Sequence, residues 1–153
     1  MHQHRAALAA AVIVLAASCA APAASAAAGA DRTVNIEMKE FGFSPAAITL
    51  RAGERVIFRV KNTGATEHDL MAGRDPKPSE GYHDDLFAGV EVRMTGGAET
   101  GHGATHRGVG LMLAATRSGA VTFTVPNRPG EYEFGCFVPG HYELGMKGTL
   151  TIG

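Results

Sequence analysis

Cys136-Phe-Val-Pro-Gly-His141-Tyr-Glu-Leu-Gly-Met146 is a stretch near the end of the chain that carries three metal-binding side chains. A thiol, an imidazole and a thioether follow one another with four residues between each pair. Each of these side chains alone is most often packed or solvated. Together, after an alternating segment that contains Tyr132 and Phe134, they indicate a site for a soft metal ion. Thiolate and thioether sulfur disfavour hard ions such as calcium and magnesium.

Residues 1–30 have the pattern of a secretory signal peptide. A basic start with Arg5 precedes an apolar run over residues 6–17, and small residues with A-x-A sites follow. The apolar run is shorter than the roughly 20 residues that a membrane-spanning helix needs, so an uncleaved anchor is the less favoured interpretation. A lipid anchor on Cys19 is also disfavoured, because Leu15 lies one position too far from it. We therefore predict an exported domain over residues 31–153, in the periplasm or secreted.

The predicted domain is close to neutral. Its formal charge is −2, one lower than the −1 of the whole chain, because Arg5 is removed with residues 1–30. It contains no basic run and no second long apolar segment, so we expect neither a nucleic-acid partner nor a membrane span. Cys136 is then the single cysteine of an exported protein. This leaves an intermolecular disulfide, a buried inert thiol or a metal ligand.

Short alternating segments separated by turn residues run through the chain. This pattern is typical of half-buried strands in an all-β sandwich or barrel. The predicted strands cover residues 34–38, 48–51, 56–61, 121–125, 132–136 and 148–152. A long Gly-rich insertion covers about residues 72–117. Within it, the sequence suggests a short helix over residues 80–87 capped by Ser79, and short strands over residues 90–94 and 110–113.

A type 1 copper site has one thiolate and two imidazoles in a trigonal plane, with a weak axial methionine. The loop over residues 136–146 supplies the thiolate, the thioether and one of the two imidazoles. His68 is well placed to supply the other, because it lies at the end of the third predicted strand, just after the turn Asn62-Thr63-Gly64. We therefore predict one type 1 copper ion held by His68, Cys136, His141 and Met146.

The chain resembles the cupredoxins, the family of plastocyanin, azurin and rusticyanin, over residues 32–70 and 118–153. The motifs that carry the resemblance are Phe43-Ser-Pro45, Ile48-Thr-Leu50, Gly53, Val56-Ile-Phe58 leading to Asn62, and the ligand loop, whose spacing is like that of rusticyanin. The resemblance implies an eight-stranded Greek-key β-sandwich with one copper ion at one end. It also implies that His68 is the first copper histidine of the family.

The chain departs from the family pattern on both sides of His68. Asp69 stands where many cupredoxins have an asparagine, whose amide helps to tie the two ligand loops together, so we place Asp69 beside the ligands. Glu67 stands where the azurins have a glycine whose carbonyl approaches copper. The resemblance therefore does not imply azurin-like five-coordination.

Apolar residues around His141 form a predicted docking surface for redox partner proteins. These residues are Phe137, Val138, Pro139 and Leu144. Redox encounters typically bury less than about 1,200 Å², an area that a small apolar surface can provide. Ordinary core packing is the alternative for Phe137 and Leu144.

Two functions are compatible with these residues. The first is a periplasmic carrier of single electrons that cycles between Cu(I) and Cu(II) and docks with redox partner proteins. The alternative is a periplasmic copper-homeostasis or resistance protein that sequesters or oxidises copper. Met71, Met94 and Met112 would then recruit extra copper, together with the histidines of the insertion. The candidates for a second metal site are His83, Asp84, Asp85, His102 and His106, with solvated loop residues as the alternative.

We do not expect an enzyme. Multicopper oxidases carry a His-Cys-His tripeptide, whereas Cys136 is flanked by Gly135 and Phe137. The binuclear copper site of cytochrome oxidase subunit II needs a second cysteine on the same loop, and this loop has one.

Overall fold

The computed structural model describes residues 31–78, 80–100 and 108–153. Along its strands, buried residues often alternate with more exposed ones. This part of the chain contains twelve strands and no helix. They are β1 (Arg32–Lys39), β2 (Gly42–Ser44), β3 (Ala47–Leu50), β4 (Arg55–Asn62), β5 (His68–Lys77), β6 (Gly81–Asp85), β7 (Val92–Thr95), β8 (Ala98–Thr100), β9 (Gly110–Leu113), β10 (Ser118–Thr124), β11 (Gly130–Gly135) and β12 (Lys147–Ile152). The predicted signal peptide lies outside the described residues. Within them, no helix is long and apolar enough to cross a membrane.

Two sheets pack against each other. One has the strand order β2-β1-β4-β10-β7, and the other has the order β3-β12-β11-β5-β9-β8, with β6 paired to β5. β1 runs parallel to β4 and β3 runs parallel to β12, while the remaining pairs are antiparallel. The chain switches repeatedly between the sheets, which is typical of a Greek-key sandwich. The predicted all-β sandwich is confirmed.

The core lies between the two sheets, and β4 shows how the sequence builds it. Val56, Phe58 and Val60 are buried, and they alternate with more exposed neighbours. This alternation arises because successive side chains of a strand point to opposite faces. The same alternation makes Asn62, the last residue of β4, fully buried although it is polar. A buried polar side chain therefore lies at this end of the sandwich.

The predicted insertion contains more regular structure than its glycine content suggests. β5 runs on to Lys77, β6 pairs back onto it, and β7 joins the other sheet beside β10. The strands predicted over residues 90–94 and 110–113 correspond to β7 and β9. The helix predicted over residues 80–87 is wrong, because pairing with β5 gives this segment ladder hydrogen bonds as β6. Its proposed cap, Ser79, lies outside the described residues.

β5 is buried on both faces over its first half. Leu70 and Ala72 pack into the core between the sheets. On the other face, an outer cluster is formed by Met71, Tyr82, Phe137 and Tyr142. Tyr82 comes from β6, so the insertion helps to cover the outside of the strand that begins at His68.

Candidate metal centre

The loop over residues 136–146 connects β11 to β12 and is closed by its own backbone. The Cys136 N–H donates to the Met146 carbonyl at 3.0 Å, and the Met146 N–H donates to the His141 carbonyl at 3.0 Å. Gly140 and Gly145 have φ angles of 84° and 96°, in the left-handed region that favours glycine. The loop therefore gathers its three donor residues by local contacts.

Three donor atoms from the loop and from β5 form a compact triangle. The two Nδ1 atoms of His68 and His141 are 3.1 Å apart. The Sγ atom of Cys136 is 3.4 Å from Nδ1 of His141 and 3.9 Å from Nδ1 of His68. The point equidistant from these atoms lies about 2.0 Å from each, near the metal–nitrogen and metal–sulfur lengths of about 2.0–2.3 Å known for zinc. Among the described residues, no other group of three or more histidine, cysteine or acidic side chains has its ligand atoms this close together.

Met146 is fully buried in the core at the base of the same loop. Its backbone is bonded to both Cys136 and His141, so it lies beside the donor triangle. Its role as the axial ligand remains a prediction.

Asp69 links β5 to the ligand loop. Its backbone N–H donates to Sγ of Cys136 at 3.4 Å, and its Oδ1 accepts the N–H of Phe137 at 2.8 Å. Asp69 is fully buried. The carboxylate therefore makes the type of contact expected of the asparagine that it replaces.

Asn62 organises the turn that leads to His68. Its Nδ2 donates to the carbonyls of Thr66 at 2.8 Å and Leu113 at 3.0 Å. Its Oδ1 accepts the N–H of Gly64 at 2.9 Å. These three bonds satisfy the amide in a position without solvent access and fix the approach to His68.

The turn between β1 and β2 also reaches the site, which the sequence pattern did not indicate. The ring of Phe41 meets the ring of His141 edge-on, with centroids 5.0 Å apart, and is 41% exposed. Glu40 lies beside His68, with Oε1 at 3.4 Å from Nε2. No local spacing marks these residues, because they are far from the ligand motif along the chain.

Burial controls the protonation of the donor side chains. It raises the pKa of the Cys136 thiol to about 12, and the charge of Asp69 adds to this effect. Burial and the His141 ring lower the pKa of His68, while Glu40 acts in the opposite direction. Since a metal-bound cysteine is a thiolate, metal binding must release the thiol proton. A thiolate, two imidazoles and a thioether fit copper.

The predicted docking residues differ in exposure. Phe137 is buried in the outer cluster, where it stacks on Tyr142 at 4.8 Å between centroids and meets Tyr82 edge-on at 4.9 Å. Its assignment to the docking surface is therefore wrong, and the packing alternative is correct. Val138 is half-buried, and Pro139 and Leu144 are exposed.

We call the exposed residues Phe41, Pro139 and Leu144 the apolar rim. Pro139 and Leu144 belong to the loop that carries His141, and Phe41 contacts the His141 ring. Leu144 is 62% exposed. Pro139 and Leu144 belong both to this rim and to the predicted docking set, and a docking role for Val138, Pro139 and Leu144 stays a prediction.

The described members of the predicted second metal site do not converge on a metal position. Asp84 accepts a bond from Arg128 at 3.3 Å. The Asp85 carboxylate accepts the backbone N–H groups of Phe87 and Val109 at 3.0 and 3.2 Å. His83 is exposed. The remaining candidates, His102 and His106, lie outside the described residues.

Comparison with known proteins places the chain in a family. The family model for the cupredoxin-like domain matches residues 7–94. The copper-resistant cuproprotein CopI of Rubrivivax gelatinosus is 32% identical over 126 residues, which cover 82% of this chain and 68% of that protein. CopI of Pseudomonas aeruginosa is 30% identical over 144 residues, with 82% of this chain and 78% of that protein covered. The solved structure of auracyanin B superposes with a TM-score of 0.58 at 27% identity, covering 81% of this chain and 89% of that one.

A sandwich with two imidazoles, a thiolate and a thioether at one end defines a copper protein of the type 1 class. The chain belongs to the cupredoxin family.

Proposed function

We propose that this chain is an exported copper-resistance protein that takes up one copper ion at the His68, Cys136, His141 and Met146 site. The observation that carries the proposal is the similarity to two copper-resistant cuproproteins, which extends over 82% of the chain. The sequence pattern of residues 1–30 supports export to the periplasm. Of the two functions considered from the sequence, this is the alternative rather than the first.

The protein groups around the site suit both the capture and the retention of copper. Bound copper would supply one-electron redox chemistry between Cu(I) and Cu(II). Cys136 gives up its proton on binding, and the N–H of Asp69 points at the sulfur and stabilises the thiolate. His68 and Cys136 have no solvent access, so the route to the site lies on the side of His141, which is partly exposed.

We further propose that the chain is not an enzyme. The residues on either side of Cys136 are Gly135 and Phe137, and neither can hold a second metal ion next to the type 1 site. The buried ring of Phe137 occupies the outer cluster instead.

Electron transfer to a partner protein is the second candidate function, and the apolar rim favours it. Phe41 and Leu144 are the exposed large hydrophobic residues of the described chain, and both lie at the His141 end. A small apolar surface beside a partly exposed ligand suits a transient redox encounter, which typically buries less than about 1,200 Å².

Growth of a gene-deletion strain on copper separates the two candidates. Complementation with Cys136→Ser should leave the strain as copper-sensitive as the deletion, because a serine hydroxyl cannot replace the thiolate. Leu144→Asp should restore tolerance fully if resistance depends on the metal site alone. Thr124→Asp, at the opposite end of the sandwich, is the matched control for the added charge.

The electron-transfer candidate predicts a different pattern. Leu144→Asp would slow electron exchange with a redox partner, and Thr124→Asp would not. Full copper tolerance with Cys136→Ser would contradict the resistance proposal.

A further inference from the structure

A carboxylate faces the buried histidine on the side away from the donor triangle. Oε1 of Glu40 lies 3.4 Å from Nε2 of His68, whose side chain has no solvent access. The distance falls within ion-pair range, yet Nε2 makes no regular hydrogen bond with any group in the described part of the chain. The Glu40 carboxylate is therefore the charged group that lies beside Nε2 of the buried His68 ring.

The position of this carboxylate is built by a second segment. Oε1 of Glu40 accepts the N–H of Ala65 at 2.7 Å, the N–H of Thr66 at 2.9 Å and the Thr66 hydroxyl at 3.1 Å. A hydrogen bond from its own backbone, together with these bonds, lowers the pKa of Glu40 to about 2. The turn before His68 therefore holds the carboxylate and keeps it charged.

Gly64 leaves the space that Glu40 occupies. A Cβ atom at Gly64 would lie 2.6 and 2.7 Å from the two carboxylate oxygens of Glu40, which is closer than such atoms can approach. The far end of the Glu40 side chain would have to move away. The donors of Ala65 and Thr66 therefore bind the Glu40 carboxylate, and the absence of a side chain at Gly64 leaves room for it.

The donor triangle requires a particular tautomer of His68. Its Nδ1 faces Cys136 and His141 and must offer a lone pair to a metal ion. A neutral imidazole then carries its single proton on Nε2. A carboxylate beside that nitrogen favours this tautomer and makes the ring a stronger donor.

We propose that Glu40 is a positioning residue that holds His68 in the tautomer with the proton on Nε2 and strengthens the binding of Cu(II) relative to Cu(I). A negative charge near the site favours the ion of higher charge. The inference rests on His68 as a copper ligand and is independent of whether the protein serves resistance or electron transfer.

Two variants disturb this contact in different ways. Glu40→Gln keeps the shape and removes the charge, while Gly64→Ala keeps the charge and displaces the carboxylate. The matched controls are Glu67→Gln, which removes an exposed charge next to His68, and Gly42→Ala, which adds a methyl group where no atom lies within 4 Å.

The copper-loaded protein gives the first measurement. Loss of a partner behind a ligating histidine typically lowers metal affinity about 10- to 100-fold. With a tenfold loss for Cu(II) and none for Cu(I), the reduction potential rises by about 59 mV in Glu40→Gln. Gly64→Ala should shift it in the same direction, and both controls should keep the wild-type potential. Unchanged potentials in Glu40→Gln and Gly64→Ala would overturn the inference.

The metal-free protein gives the second measurement, which does not depend on copper. Nitrogen NMR of the His68 ring should show a single tautomer with Nε2 protonated in the wild type, and a mixture of tautomers in Glu40→Gln. The same single tautomer in both proteins would overturn the inference. If His68→Ala bound copper as the wild type does, the copper site itself would be wrong, and the two failures are therefore distinguishable.

Discussion

The ligand loop over residues 136–146 and the segment from Asn62 to Asp69 build the two halves of the copper site in different ways. The loop carries three donors and is closed by its own backbone hydrogen bonds. The other segment carries one donor, His68, and is held by distant parts of the chain through Glu40 and Leu113. One half is thus determined by local spacing and the other by long-range contacts, and the variants below test that difference.

The largest effect is expected when each histidine is removed in turn. His68→Ala and His141→Ala should both lose the copper site, because each ring supplies one corner of the donor triangle. Added imidazole should restore the site in His141→Ala, where the ring is partly exposed, but not in His68→Ala, where the side chain has no solvent access. Visible spectra during an imidazole titration provide the measurement. Equal restoration in both variants would contradict the difference in access.

The next largest effect concerns the hydrogen bonds of Asn62. Asn62→Ala leaves the carbonyls of Thr66 and Leu113 and the N–H of Gly64 without their partner. The bonds to Leu113 and Gly64 are buried, and unsatisfied buried groups cost about 1–3 kcal/mol each, so we expect the free energy of unfolding of the metal-free protein to fall by about 2–6 kcal/mol. Urea denaturation measures this loss.

Asn35→Ala on β1 is the matched control for Asn62. Asn35 is exposed, so its removal should change the free energy of unfolding by less than about 0.5 kcal/mol. A similar loss in both variants would show that the buried amide is not what fixes the turn.

A smaller effect is expected from Met146→Leu. Leucine fills a similar volume in the core, so the cost in stability should stay below about 1.5 kcal/mol. Copper should remain bound and coloured while the reduction potential rises, because the thioether is a weak axial donor that favours Cu(II). Voltammetry provides the measurement, and an unchanged or lower potential would argue against Met146 as the axial ligand.

The smallest effect is expected in acid. The pKa of Glu40 is lowered from 4.5 to about 2, first of all by a hydrogen bond from its own backbone. A lowered pKa contributes stability that is present above the unfolded value and is lost as the pH falls towards the folded value. Metal-free Glu40→Gln should therefore lose less stability than the wild type between about pH 4.5 and pH 2, as measured by denaturation at several pH values. Glu67→Gln serves as the control, and an equally steep loss in Glu40→Gln would contradict the assignment.

The ligand loop and the fold could be predicted because their signals are local. Period-two alternation identifies strands such as β4 and β10, since each has one face in the core. The spacing of Cys136, His141 and Met146 identifies the loop, because the three donors share one short connection. The turn at Asn62 likewise pointed to His68.

The surroundings of His68 could not be predicted, because they depend on which distant segments meet. Glu40 and Phe41 reach the site only through the pairing of β1 with β4 and the turn that follows β1. Phe137 looks like an exposed loop residue in the sequence, but β6 supplies Tyr82 as a packing partner. The pairing of β6 with β5 also explains why residues 81–85 form a strand instead of the helix expected over residues 80–87.

The visible absorption spectrum and the copper content of the protein over residues 31–153 test the central claim most directly. The wild type should bind one copper ion per chain and show an intense thiolate-to-copper band, and Cys136→Ser should lose that band. A band that persists in Cys136→Ser, or a wild type without one, would contradict a type 1 copper centre at His68, Cys136 and His141.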